Sequence, residues 1–209
     1  MTTHELKTAL DAVIEDTAQP HVERLSITAA IVSEALRLEG LEATLVGGAA
    51  IEFYSPGAYV TSDIDLVVER QRPGPSLEPA LARTFASLGF ERTGRHWTRD
   101  DVFVEVPGTQ VTNPTVTFAV GPYQLRVLRK EILLGERIVG FKHWRYTAYA
   151  AQALDMLAAF RDDLDSIILN AYLERENAVD AYRLLEELAA SGTSIDEDVL
   201  QAQLERLHQ

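Results

Sequence analysis

Two carboxylates stand one residue apart in Ser62-Asp63-Ile64-Asp65-Leu66. In a strand, alternation puts Asp63 and Asp65 on one face and Ile64, Leu66 and Val68 on the other. Like charges this close repel, and a cation relieves them. Magnesium takes oxygen ligands of this kind, often one or two carboxylates together with substrate phosphates. The same pair would also suit the solvated edge of an acidic protein. Calcium-loop chemistry fits poorly, because an apolar run follows instead of further oxygen ligands and a glycine turn. Upstream, Leu45-Val46-Gly47-Gly48 ends an apolar run in paired glycines. Without a Cβ, their amides can approach phosphate closely, or they can simply make a tight turn into a helix. Downstream, Glu105 sits in Val102-Phe103-Val104-Glu105-Val106 with Asp101 and Phe103 on its face. An acid buried unpaired in an apolar strand is costly. Glu105 therefore calls for a shared metal, an ion pair or an exposed face.

The elements that must position these groups can be read from periodicity. Residues 5–17 and 21–39 read as helices separated by Pro20; the second carries an apolar stripe of Leu25, Ala29, Ile31, Val32, Ala35 and Leu36, and Gly40 stops it. Ala43–Val46 reads as a strand and Ala49–Tyr54 as a helix broken by Ser55-Pro56-Gly57. Asp63–Glu69 reads as a strand on its β-branched content. Pro73, Pro75 and Pro79 mark a loop and the start of a helix over 77–88, closed by Gly89. Strands follow around Phe90–Trp97 and Val102–Val106, with Asp100-Asp101 near the turn between them. Residues 109–128 hold one more strand pair or an extended segment. From Glu131 the chain is helix-rich, with Leu154, Leu157, Leu164 and Ile168 outlining one amphipathic face and Val179, Tyr182, Leu185 and Leu188 another. The organisation expected is an α+β module over 1–128 with a helical C-terminal lobe, 129–209, packed on it.

Composition narrows the chemistry. The 209 residues are 46% apolar and 24% charged, values of a folded globular chain. Nineteen Lys and Arg against 32 Asp and Glu leave a formal charge of −13. Such a surface repels extended duplex nucleic acid and anionic membrane. The absence of cysteine removes disulfides, thiolate nucleophiles and Cys-ligated zinc. Met1-Thr2-Thr3-His4-Glu5-Leu6-Lys7 lacks the basic stretch and apolar core of a signal peptide, and no apolar run approaches membrane-spanning length. A cytoplasmic location is the expectation.

Taken together, Gly47-Gly48, the gap Ala49–Ser62, Asp63-Ile64-Asp65 and the later Glu105 resemble the nucleotidyltransferase superfamily. Its pattern is a Gly-Gly or Gly-Ser turn followed, about a dozen residues on, by Asp-x-Asp preceded by Ser or Thr. The resemblance runs from Leu41 to Pro107 with the preceding helix. Within the superfamily the chain looks most like small prokaryotic proteins grouped with DUF6036 and the AbiEii-type toxins. The resemblance implies a polymerase-β-type mixed sheet flanked by helices. It also implies that Asp63, Asp65 and Glu105 hold two Mg²⁺ ions (Mn²⁺ an alternative) and that Gly47, Gly48 and Ser62 cradle the triphosphate. An NMP would then pass from NTP to a hydroxyl on a tRNA 3′ end, a protein or a small molecule, in a toxin–antitoxin setting. The gap from Gly48 to Asp63 is slightly long, and Glu replaces the commoner Asp at the third position. The alternative is a catalytically silent protein of the same fold that binds nucleotide or a partner and regulates.

Other candidates carry less. Toxin-type relatives place a Lys and a later Asp in the helical half, roles open to Lys142 with Asp163, Asp165 or Asp180; on its own, Lys142 reads as a surface lysine. Arg126, Arg129, Lys130, Arg137, Lys142 and Arg145 form the densest basic cluster, suited to a triphosphate or an RNA end, or else a solvated helix face. His143 beside Trp144 is a candidate to stack a base, although an aromatic there reads first as core. His4, His21, His96 and His208 are scattered without metal-ligand spacing.

Overall fold

A computed structural model describes residues 1–57, 59–72, 76–191 and 195–208. Pro73 and Pro75, read as loop markers, lie outside the described residues. The chain divides into two compact units, Met1–Pro56 with Val60–Leu128, and Gly57–Tyr59 with Arg129–Gln209.

The first unit opens with α1 (Thr3–Glu15) and α2 (His21–Leu38). Thr2 caps α1 in a capping box: its hydroxyl accepts from the Glu5 amide while the Glu5 carboxylate accepts from the Thr2 amide. Leu6, Leu10 and Ile14 recur at helical spacing and are buried. The stripe read on α2 is buried as well, and Ser26 and Ser33 satisfy their hydroxyls on the Val22 and Ala29 carbonyls. Then come β1 (Leu41–Val46), α3 (Gly47–Tyr54), β2 (Asp63–Arg70), α4 (Glu78–Ser87), β3 (Glu91–Thr93), β4 (His96–Arg99), β5 (Val102–Glu105), β6 (Thr115–Val120) and β7 (Tyr123–Leu128).

These strands form one mixed seven-stranded sheet in the order β3-β4-β5-β2-β1-β7-β6. β1 runs antiparallel to β2 and parallel to β7; β2 runs parallel to β5. One face presents Leu41, Ala43, Leu45, Ile64, Leu66, Val68, Val104, Leu125 and Val127, all buried. On the core side, α2 packs on β1 and β7, and α3 on β1 and β2. The other face is polar: Glu42, Thr44, Asp63, Asp65, Glu69, Glu105 and Arg126 share it. The segment after β5 crosses that face, with the Gly108 carbonyl accepting from the Val68 amide and the Val111 amide donating to Glu69 at 2.9 Å.

One sequence reading is corrected here and another is borne out. The strand expected over Phe90–Trp97 is a hairpin: Gly94, at φ +64°, and Arg95 turn β3 into β4, a two-residue connection that only a residue tolerant of positive φ starts cheaply. Residues 109–128 resolve into a crossing segment and the β6–β7 pair.

The second unit is helical: α5 (Lys130–Trp144), α6 (Thr147–Phe160), a 3₁₀ turn at Arg161–Asp163, α7 (Ser166–Arg175), α8 (Val179–Ser191) and α9 (Glu197–Arg206). Leu164 falls in the break between α6 and α7, so the buried face of α6 is instead Ala150, Ala153, Met156, Leu157 and Phe160. In α8, Ala181 and Leu185 are buried while Val179, Tyr182 and Leu188 are half-buried. Lys142 is no surface lysine: it is 8% exposed and donates to the Asn177 carbonyl at 2.6 Å and to Asp180 at 2.7 Å. Trp144, read first as core, is 69% exposed. Among the described residues no helix is long and apolar enough to cross a membrane.

Candidate metal and nucleotide site

The site begins where β1 ends. Val46 pairs with Asp65, and Gly47 then turns the chain at φ +61° straight into α3. A Cβ at Gly47 would run into the Asp65 carboxylate, with the Asp65 Cγ only 3.2 Å away. Glycine is therefore required twice, by the backbone angle and by the neighbour. The first amides of α3 have no partner within the helix and point out of its positive end, beside that carboxylate.

Asp63 is the first residue of β2, fed by the loop that ends in Thr61-Ser62. Its carboxylate accepts from the Thr61 hydroxyl at 2.9 Å. Thr61 is itself tied down: its amide donates to Glu52 at 2.9 Å, and its carbonyl lies 2.9 Å from His21 Nε2. Glu52, on α3, is 2% exposed and lies 3.7 Å from the same His21 nitrogen. Thus the helix that starts at the glycines also anchors the loop that delivers Asp63. Ser62 lines a cavity of about 50 Å³ with His21, Arg24 and Phe103. That is room for water and far below the several hundred Å³ of a nucleotide pocket.

Across the sheet, Asp65 pairs with Glu105 in the parallel β2–β5 register, and Glu105 pairs with His96 in the antiparallel β4–β5 register. One rung therefore runs Asp65, Glu105, His96, with Asp63 two residues away on the same face. Glu105 is half-buried. Its Oε2 lies 3.2 Å from Arg95 Nε and 3.5 Å from His96 Nε2. Donor atoms of Asp63, His96 and Glu105 all fall within 4.8 Å of one another. That is close to the roughly 4 Å span of two bonds to a small divalent cation, and carboxylate oxygens are donors such a cation takes. The residues present fit a divalent ion on that count.

The six residues read from sequence thus fall around the end of β1 and the start of β2, with Glu105 one strand over. His96 was not legible from histidine spacing, because it reaches Glu105 through hairpin register; mirroring the chain about the Asp100-Asp101 turn would have found it. Glu52 and Thr61 were missed because their role is to hold the loop, a contact between an α3 side chain and a backbone amide nine residues on. Four residues of the basic cluster are paired with acids. Arg126 lies 3.2 Å from Glu42 and 3.1 Å from Glu69. Arg129 lies 3.0 Å from Glu131, and Lys130 and Lys142 pair with Asp163 and Asp180.

No protein-family model matches the chain, and no curated protein matches it. Among solved structures it is similar to an antigenic nucleotidyltransferase-like protein from Paracoccidioides brasiliensis, with a TM-score of 0.54 at 16% identity, covering 78% of this chain and 92% of that one. The fold is nucleotidyltransferase-like: a mixed α+β sheet flanked by helices.

Proposed function

We propose that the chain is a divalent-metal-dependent nucleotidyltransferase that transfers an NMP from an NTP to a hydroxyl acceptor, a tRNA 3′ end, a protein or a small molecule. The observation that supports this is the donor group Asp63, His96 and Glu105, with Asp65 in register beside Glu105 and its carboxylate against the Gly47 turn at the start of α3, on a fold of that class. Asp63, Asp65 and Glu105 would hold the metal, two Mg²⁺ or Mn²⁺ ions in the full form of the site. Bound there, the metal supplies charge neutralisation of the triphosphate and acidification of the acceptor hydroxyl. The protein does the positioning. Gly47 and Gly48, lacking Cβ atoms, would let phosphate oxygens approach the positive end of α3 closely. Thr61 fixes one oxygen of Asp63 and so orients the other. In the reaction the acceptor oxygen forms a bond to the α-phosphorus, the bond to the β,γ-phosphates breaks, and pyrophosphate leaves with the electron pair. The acceptor proton is lost to base. Placement in line and local electrostatics account for most of the rate.

Kinship with AbiEii-type toxins and DUF6036 proteins, and a toxin–antitoxin setting in the cytoplasm, extend this reading. The runner-up, a silent nucleotide-binding regulator, would be favoured by a displaced third carboxylate; Glu105 lies level with Asp65. The test is incubation with each labelled NTP, Mg²⁺ or Mn²⁺, and cellular RNA or lysate. Label transferred by the native protein and lost in Asp63→Asn and Asp65→Asn supports transfer. Nucleotide-dependent thermal stabilisation without label supports the regulator. Neither effect with any NTP removes both.

A further inference from the structure

His96 lies where the transfer reading has no use for it. Its backbone is held on both sides, against Thr93 of β3 and Glu105 of β5. Its ring meets Phe103 edge-on at 6.4 Å. Nε2 lies 3.5 Å from Glu105 Oε2, and a ring nitrogen of His96 belongs to the same 4.8 Å group of donor atoms as Asp63. A site built for magnesium alone would gain nothing from an imidazole there, since magnesium prefers oxygen in an octahedral shell and keeps its waters. A neutral imidazole suits zinc, copper, iron or nickel, and manganese is the first-row cation that also takes carboxylates.

We propose that His96 is a metal ligand together with Asp63 and Glu105, so that the site takes a first-row transition cation, with manganese(II) as the test case, in preference to magnesium. The inference rests on the metal-dependent transfer reading and specifies the ion. Arg95 competes for Glu105 but is 72% exposed on its hairpin turn, a position from which a long solvated side chain yields to a divalent charge. As a ligand, an imidazole donates a ring-nitrogen lone pair to the ion.

The test uses the full chain with Mn²⁺ and inorganic tripolyphosphate, which holds the ion without offering a base nitrogen. Pulsed electron paramagnetic resonance on the bound Mn²⁺ is expected to show a directly coordinated ¹⁴N, lost in His96→Gln. Competition with Mg²⁺ is expected to show the preference for Mn²⁺ falling about tenfold or more in that variant, the scale on which metal sites respond to lost partners. Bound Mn²⁺ without ¹⁴N coupling in the native protein overturns this inference and leaves the transfer reading standing. No protein-bound Mn²⁺ at all overturns both. The native-protein spectrum decides the matter even if His96→Gln fails to fold.

Discussion

At the scale of single residues, the acids proposed to hold the metal depend on side chains outside that set. Glu52 is the clearest case. Its buried carboxylate takes the Thr61 amide, and Thr61 in turn positions Asp63. Glu52→Ala leaves that amide without an acceptor in a buried place, which costs about 1–3 kcal/mol. Glu52→Gln keeps a carbonyl oxygen and loses less. Urea denaturation of the two variants checks the order, and Mn²⁺ titration checks that metal affinity falls along with stability. Gly47→Ala tests the other side of the site. An alanine at φ +61° costs about 1–2 kcal/mol from the backbone alone, and its methyl displaces the Asp65 carboxylate. The expected result is a lower melting temperature with no further rise on adding Mg²⁺ and NTP. A variant that still gains the native rise separates Gly47 from the ligand.

At the scale of elements, much was legible and the rest failed for identifiable reasons. The α2 stripe, the strand carrying Asp63 and Asp65, and the helix after Gly47 follow from local periodicity. The β3–β4 turn did not, because Gly94-Arg95 interrupts a run whose residues otherwise read as one strand. Pairing is non-local, so neither His96 beside Glu105 nor the parallel β2–β5 rung could come from spacing along the chain. In the helical unit the difference is one of partners: from sequence Lys142 reads as solvated, because the acid that pairs with it lies on another helix. Burial raises the Asp180 pKa, but the Lys142 ammonium and the Ala181 amide together outweigh it and hold the carboxyl below the usual range. Lys142 thus joins α5 to the turn before α8. Lys142→Ala takes the donor from the Asn177 carbonyl and is expected to cost about 1–2 kcal/mol, seen as a lower denaturation midpoint in circular dichroism of helix signal. Lys142→Arg, which keeps the charge on a bulkier head, should recover only part of it.

At the scale of the whole molecule, the charge of −13 sets how stability responds to pH, and two groups of carboxylates pull in opposite directions. Hydrogen bonds from Arg99, Arg37 and Arg24 hold Asp11, Glu34 and Asp101 below the ordinary range. Their contribution is present above the unfolded values and is lost as pH falls through the folded ones. Glu136 on α5 goes the other way. Burial pushes its pKa from 4.5 up to about 7, against the opposing pull of Arg137. Its contribution is complete below about 4.5 and is lost as pH rises to about 7, because the unfolded chain ionises first. Stability is therefore expected to peak on the acid side of neutrality, between the two windows. Glu136→Gln removes the descending limb. Native and variant should have matching denaturation midpoints near pH 4.5, part between pH 5 and 7, and stay apart above, with the variant more stable by roughly 2–3 kcal/mol. Midpoints that stay parallel across this range would show that the descending limb comes from the overall negative charge and not from Glu136. Repeating the series at high salt separates the two, since screening flattens diffuse repulsion and leaves a buried carboxyl unchanged.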